Sequence, residues 1–365
     1  MLLIQEVGEL AVRAAEREGA DSEPYPAATV RELFDSGLIR APFPELEGGS
    51  GWNCLDATNA IEILASRSPS AALIAAMPVG IAGVVAGSSP VVPAASRAGW
   101  DKQAASIAAD FRDGKHYAAC NSEAGAGGSL AATKTIASKT SSGWRLTGPK
   151  ILASGGTHAD VFLSTAKVSQ EDMPGAGIVE FFFVPTDAPG VTVASDWDGF
   201  GMRSTESQSV YYEDARASGI WGFPDFIAIA QPLSYFFCLF AAIPLGCATG
   251  LLELMSTPAP ASPALRLRLA DARMKCEALS AYLSETAGAW RPAAGPEYAA
   301  RVLRTKTYVS SEATKLCAEL FALSGGRHYR RDGAAARLLA DSFAGTALRP
   351  PLALSLDTLV EQFES

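Results

Sequence analysis

The sequence predicts an α+β multidomain protein in which a helical region, a β region and a second helical region follow one another. Three observations carry this. Apolar residues keep helical spacing up to about Lys115, short β-branched and aromatic runs fill Tyr117 to about Trp221, and the helical period returns from about Asp225. Domains are expected at 1–116, 117–222 and 223–365, since 365 residues are many for a single core.

In the first region Val7, Leu10, Ala11 and Ala14 recur at helical spacing, and Val30, Leu33, Phe34 and Leu38 repeat the pattern. A Pro- and Gly-rich turn, Ala41 to Gly51, precedes a helix expected over Asp56 to Ser66. In the middle region strands are expected over Asp160–Val168, Ile178–Val184, Val191–Ala194 and Ser207–Tyr212. Ser142-Gly143 reads as a hairpin turn between Lys134–Lys139 and Trp144–Thr147. In the last region Leu265, Leu269, Met274 and Leu279 mark one amphipathic helix, and Val302, Val309, Leu316 and Leu320 the next, with a break at Pro258–Pro263 before them. Two apolar stretches, Ala71–Ala86 and Phe236–Leu252, fall short of the ~20 strongly apolar residues that cross a bilayer and are read as core helices.

The 30 basic and 39 acidic side chains leave a net charge of −9, which argues against general nucleic-acid or anionic-membrane binding but not against one basic pocket. Six cysteines stand singly, with no C-x-x-C pair, and histidine occurs only at 116, 158 and 328. Neither a zinc site nor a disulfide framework is expected, and a reducing cytoplasm is the expected location. Met1 to Glu18 lacks a secretory pattern.

The segment Cys120-Asn-Ser-Glu-Ala-Gly-Ala-Gly-Gly-Ser129 carries the most chemistry, because glycines beside small polar residues let backbone amides approach a ligand closely. Taken alone, the segment reads more readily as a β-domain loop that merely needs positive φ, and no dinucleotide-binding fingerprint is formed. It is followed in order by Gly148-Pro-Lys-Ile-Leu-Ala-Ser-Gly-Gly-Thr-His-Ala-Asp160, Phe183-Val-Pro-Thr-Asp-Ala-Pro-Gly-Val-Thr192, Gly201-Met-Arg-Ser-Thr-Glu-Ser207 and Leu323-Ser-Gly-Gly-Arg-His-Tyr329. In order and spacing the chain resembles the acyl-CoA dehydrogenase superfamily over essentially its whole length. That resemblance implies an N-terminal helical domain, a central β-barrel domain, a C-terminal four-helix bundle, bound FAD, and a homodimer or homotetramer. The apolar stripe Leu352, Leu356, Leu359 and Val360 suits burial in such an assembly.

Carried over by the resemblance, the cofactor would meet Ala119, Cys120, Asn121, Ser122, Gly125, Gly127 and Gly128 along its ribityl chain. Leu152, Ala153 and Ser154 would lie at its ring, and Gly325 and Gly326 would complete the site. Arg203 is expected to support the fold by pairing with an acid.

The chain departs from the family at the base. Such a dehydrogenase needs a carboxylate within reach of the substrate α-carbon. The usual glutamate position falls near Arg349, with no acid between Asp341 and Asp357, and the alternative position falls near Phe236. Glu253 and Glu277 are replacements in principle only, and His328 would be an acid or base only if the chain is a monooxygenase. The inter-subunit cofactor elements are also replaced, by Ser256 to Ala264. Three readings stay open: an acyl-CoA dehydrogenase-like flavoenzyme acting with an electron-transfer flavoprotein, a monooxygenase fed by a flavin reductase, and a non-catalytic subunit.

Overall fold

The computed structural model describes residues 4–19 and 27–364. The first region holds α1 (Ile4–Gly19), α2 (Ala27–Asp35), α3 (Cys54–Ala65), α4 (Pro69–Ser88) and α5 (Arg97–Arg112). The predicted stripes on α1 and α2 are buried. Helix α3 begins where Asn53 and Asp56 cap each other, the Asp56 amide donating to Asn53 Oδ1 at 3.1 Å and the Asn53 amide to Asp56 Oδ2 at 3.0 Å. Helix α4 is apolar on every side because it runs through the core.

Eight strands form one sheet among the described residues: β1 (Tyr117–Ala119), β2 (Ile136–Thr140), β3 (Gly143–Ala153), β4 (Val161–Lys167), β5 (Val179–Pro185), β6 (Val191–Val193), β7 (Gln208–Ala217) and β8 (Gly219–Trp221). Their order is β6-β7-β3-β2-β4-β5-β8, with β1 parallel to β4. The predicted hairpin is present, Thr140 facing Gly143 and Ile136 facing Thr147. The sheet curls so that β5 comes near β7 around a core that includes Leu146, Phe162, Phe182 and Tyr212. The three-residue strands β1 and β8 carry too little pattern to be seen in sequence.

The last region holds α6 (Phe226–Ala230), α7 (Leu233–Ser256), α8 (Pro263–Gly288), α9 (Pro296–Leu323), α10 (Ala334–Ser342), α11 (Ala344–Ala347) and α12 (Leu352–Glu364). The stripe on α8 needs correction: Met274 is exposed, and the buried face is Leu269, Ala272, Cys276, Leu279 and Leu283, spaced three and four apart. Helices α4 and α7 are long and apolar enough to cross a membrane, so length does not identify them as core; their apolar windows are 89% buried within the fold, and this does. The two lie so close that a Cβ at Gly80 would stand 2.3 Å from the Phe236 ring. One continuous core joins α1–α5 to α7–α9 and reaches the face of the sheet at Leu163, Phe181 and Trp221.

Candidate functional site

A cavity of about 300 Å³ lies where α4, α7, the α10–α11 corner and the sheet meet. Its walls are largely apolar and aromatic, including Met77 from α4, Phe236 and Phe240 from α7, and Trp197 and Trp221 from the β region. Asn121, Ser122, Ser154 and Ser207 supply hydroxyl and amide groups, and among the described residues Arg349 supplies the only charge in the lining.

The loop after β1 is fixed from beneath. Glu123 accepts from the amides of Lys134 (2.6 Å) and Thr135 (3.1 Å) and from Lys150 Nζ at 2.7 Å; Lys150 also donates to the Thr165 carbonyl at 2.6 Å. Burial alone would raise the Glu123 carboxyl, but the Lys150 ammonium and the two amides outweigh it and hold the carboxyl below its ordinary value. Above this pair the chain turns through left-handed Gly125 (φ +77°) and Gly127 (φ +56°), and the place of a Cβ on Gly127 is open space.

At the end of β3 the register shifts, and Leu152 takes φ +59° with its side chain 46% exposed on the cavity. Ser154 is buried and shares a 2.9 Å hydrogen bond with Ser207, which shares another at 2.6 Å with Thr205. Among the site residues read from sequence, Ala119, Asn121, Ser122, Leu152 and Ser154 line the cavity. The side chains of Cys120 and Ala153 are instead buried in the core of the sheet, leaving only their backbone for a ligand. Gly125, Gly127 and Gly128 do not line it, and Gly125 and Gly127 turn the adjoining loop. Gly325 and Gly326 stand exposed after α9 and do not reach it.

Phe236 and Arg349, near which the resemblance sets the family's two carboxylate positions, both line this one cavity, and no Asp or Glu among the described residues does. Glu253 pairs with Arg67 at 2.7 Å on an exposed surface, Glu277 is exposed, and His328 is not in the lining. Arg203 does not pair closely with an acid as expected; it reaches the Arg331 carbonyl at 3.4 Å. Arg349 donates from Nη2 to the Asn121 carbonyl at 3.0 Å, while its Nη1 is buried without a partner.

Sequence reasoning misses Lys306. Its ammonium is buried and donates to the carbonyls of Gly345 (3.0 Å), Leu348 (2.8 Å) and Pro350 (2.6 Å), clamping the turn that carries Arg349. Burial pulls this ammonium down to about 7, while three carbonyls, one for each N–H, favour the charged form. A signal is present in the sequence: Lys306 lies four residues after Val302 and three before Val309, inside the apolar stripe of α9.

The family models for the acyl-CoA dehydrogenase N-terminal, middle and C-terminal domains match residues 5–89, 118–215 and 239–347. The protein named "Probable acyl-CoA dehydrogenase YngJ" of Bacillus subtilis (strain 168) is 25% identical over 333 residues, 87% of this chain and 84% of that protein. Butyryl-CoA dehydrogenase from Megasphaera elsdenii superposes with a TM-score of 0.80 at 20% identity, covering 99% of this chain and 98% of that one. Dibenzothiophene monooxygenase (TdsC) from Paenibacillus sp. A11-2 superposes with a TM-score of 0.78 at 22% identity, covering 99% and 96%. With helices, sheet and helices in the same order and all three domain models matched in register, the chain belongs to the acyl-CoA dehydrogenase family.

Proposed function

We propose that this chain is a flavin-dependent monooxygenase rather than an acyl-CoA dehydrogenase, and that it holds an apolar, aromatic-sized substrate in the cavity beside the flavin. The observation that carries this is the pairing of Phe236 and Arg349 in a cavity without a carboxylate. An arginine stays protonated and cannot take an α-proton at neutral pH. The residues present fit a flavin. Leu152 offers an apolar surface for a ring, the Ser154–Ser207 pair offers hydroxyls at a polar edge, and the open Gly125–Gly127 turn leaves room for a backbone-hugging chain.

Bound in its reduced form, the flavin would supply the two electrons that, with dioxygen and two protons, place one oxygen atom on the substrate and release the other as water. The protein's share is to hold and to dry. Trp197, Trp221 and Phe236 exclude water from the reacting face. FAD is the flavin proposed, and the Ser256–Ala264 connection, which lacks the side chains the family uses at the pyrophosphate, suits a loosely held cofactor supplied reduced by a separate reductase. Six free, buried cysteines suit a reducing cytoplasm. Exposed Leu356 and Val360 on α12 suit self-association as a homodimer or homotetramer.

The test supplies FAD, a flavin reductase and NADH in air and screens small aromatic substrates for oxygen incorporation from labelled dioxygen. Labelled product supports the reading. Its absence, together with reduction of an acceptor dye by acyl thioesters, transfers the chain to the dehydrogenases; silence in both, with rescue by a co-purifying homologue, makes it a non-catalytic subunit.

A further inference from the structure

Arg349 is an uncompensated cation. Every other residue that lines the cavity is uncharged. Among the described residues no carboxylate forms an ion pair with its guanidinium, and Glu123, the acid whose field it feels, is already committed to Lys150 at 2.7 Å and to two backbone amides. Only one of its hydrogen bonds is made, from Nη2 to the Asn121 carbonyl, and Nη1 is buried with none. A buried charge without a partner is costly to a fold. Yet the structure reinforces it, since Lys306 uses all three of its N–H donors on the turn 345–350. Guanidinium groups held ready in apolar surroundings are suited to acidic oxygens, which they bind by charge-assisted hydrogen bonds.

We propose that Arg349 selects the substrate: the cavity takes a small aromatic-sized molecule bearing one acidic oxygen, a carboxylate or a phenolate, which pairs with the guanidinium while the apolar body packs against Trp197, Trp221 and Phe236. The inference rests on the reading of this cavity as the substrate site. Its volume of about 300 Å³ is at the small end for ligand pockets, and Leu152 and Ser154, proposed to meet the flavin ring, belong to the same lining, so only a small ligand fits beside the flavin. The neighbouring Asn121 carbonyl orients the guanidinium by accepting from Nη2, and the side chain as a whole stays in the cavity lining.

The test is binding without turnover, on the full chain with FAD added, by calorimetry. One arm compares 2-naphthoate with neutral 2-naphthamide; the other compares 4-nitrophenolate with 4-nitroanisole, so that carboxylate and phenolate are distinguished. At least one anion should bind about 10- to 100-fold more tightly than its neutral counterpart, the range expected for a hydrogen bond between charged groups. Arg349→Gln should abolish that preference, and Arg349→Lys should keep part of it. The proposal is overturned if neither anion is preferred, if the preference survives Arg349→Gln, or if that variant instead weakens FAD and both members of a pair alike. Because no oxygenation is read, failure of the monooxygenase reading leaves this result standing, and the reverse.

Discussion

The backbone amide of Met202 donates to Oδ1 of Asp341 at 2.5 Å, joining the loop after β6 to α10 across the wall of the cavity. Asp341 is 6% exposed, and burial raises its carboxyl from 3.8 to about 6. A folded value above the unfolded one means that the folded chain keeps this proton through a range in which the unfolded chain has lost it. The resulting stability is fully present below about pH 3.8 and is lost as pH rises through about 6.

Asp341→Asn removes that titration. Each tenfold difference in proton affinity between the folded and unfolded chain corresponds to about 1.36 kcal/mol. The stability difference between wild type and variant should therefore fall by on the order of 2–3 kcal/mol from about pH 4 to about pH 7. Urea unfolding at several pH values measures it. A difference that is constant with pH would show that folding does not shift the Asp341 carboxyl.

Lys306→Met keeps an apolar stem of similar length but takes the ammonium from the Gly345 and Leu348 carbonyls, while the Pro350 carbonyl keeps only the Ser355 hydroxyl at 3.2 Å. At about 1–3 kcal/mol for an abandoned buried group, partly relieved by relaxation, the loss should be about 3 kcal/mol. Thermal unfolding checks the stability. The same variant should weaken anion preference in the cavity, because the turn holding Arg349 loses its clamp.

Gly127→Val places a β-branched side chain at φ +56° and into the space beside the cavity loop. Gly114, at φ +80° with nothing near its absent Cβ, lies outside the cavity lining, so Gly114→Val controls for backbone strain of about 1–2 kcal/mol. Flavin fluorescence titration should show FAD affinity reduced at least about tenfold, some 1.4 kcal/mol, in the first variant only. Equal affinities would remove this loop from the flavin site.

Leu356 and Val360 are 50% and 55% exposed on α12, while Leu352 and Leu359 of the same stripe are half-buried. Sedimentation should show an oligomer at micromolar concentration, and Leu356→Glu with Val360→Glu should shift it toward monomer. A wild-type monomer would leave this apolar face unexplained.

Periodic elements are legible because burial imposes its period on sequence, as in Val7 to Ala14 on α1 and in the runs that form β4 and β5. Met274 misleads because an apolar residue on a solvent face looks like any other in a stripe. The turn beside the cavity is legible where backbone geometry needs special residues, as at Gly125 and Gly127 with their positive φ. Tertiary facts are not. That Phe236 and Arg349, far apart in the chain, face one cavity is fixed by the packing of α7 against α10 and the turn that follows it, and no local pattern encodes it.

The absence of a carboxylate base is tested most directly by anaerobic dye reduction, with FAD supplied and straight-chain acyl-CoA substrates of several lengths. Loss of general-base assistance alone lowers such a rate by about 10²–10⁴. The expected result is dye reduction no faster with acyl-CoA than without it, at every chain length. Sustained reduction accompanied by formation of the α,β-unsaturated thioester would contradict the account and show that a group outside Phe236 and Arg349 takes the proton.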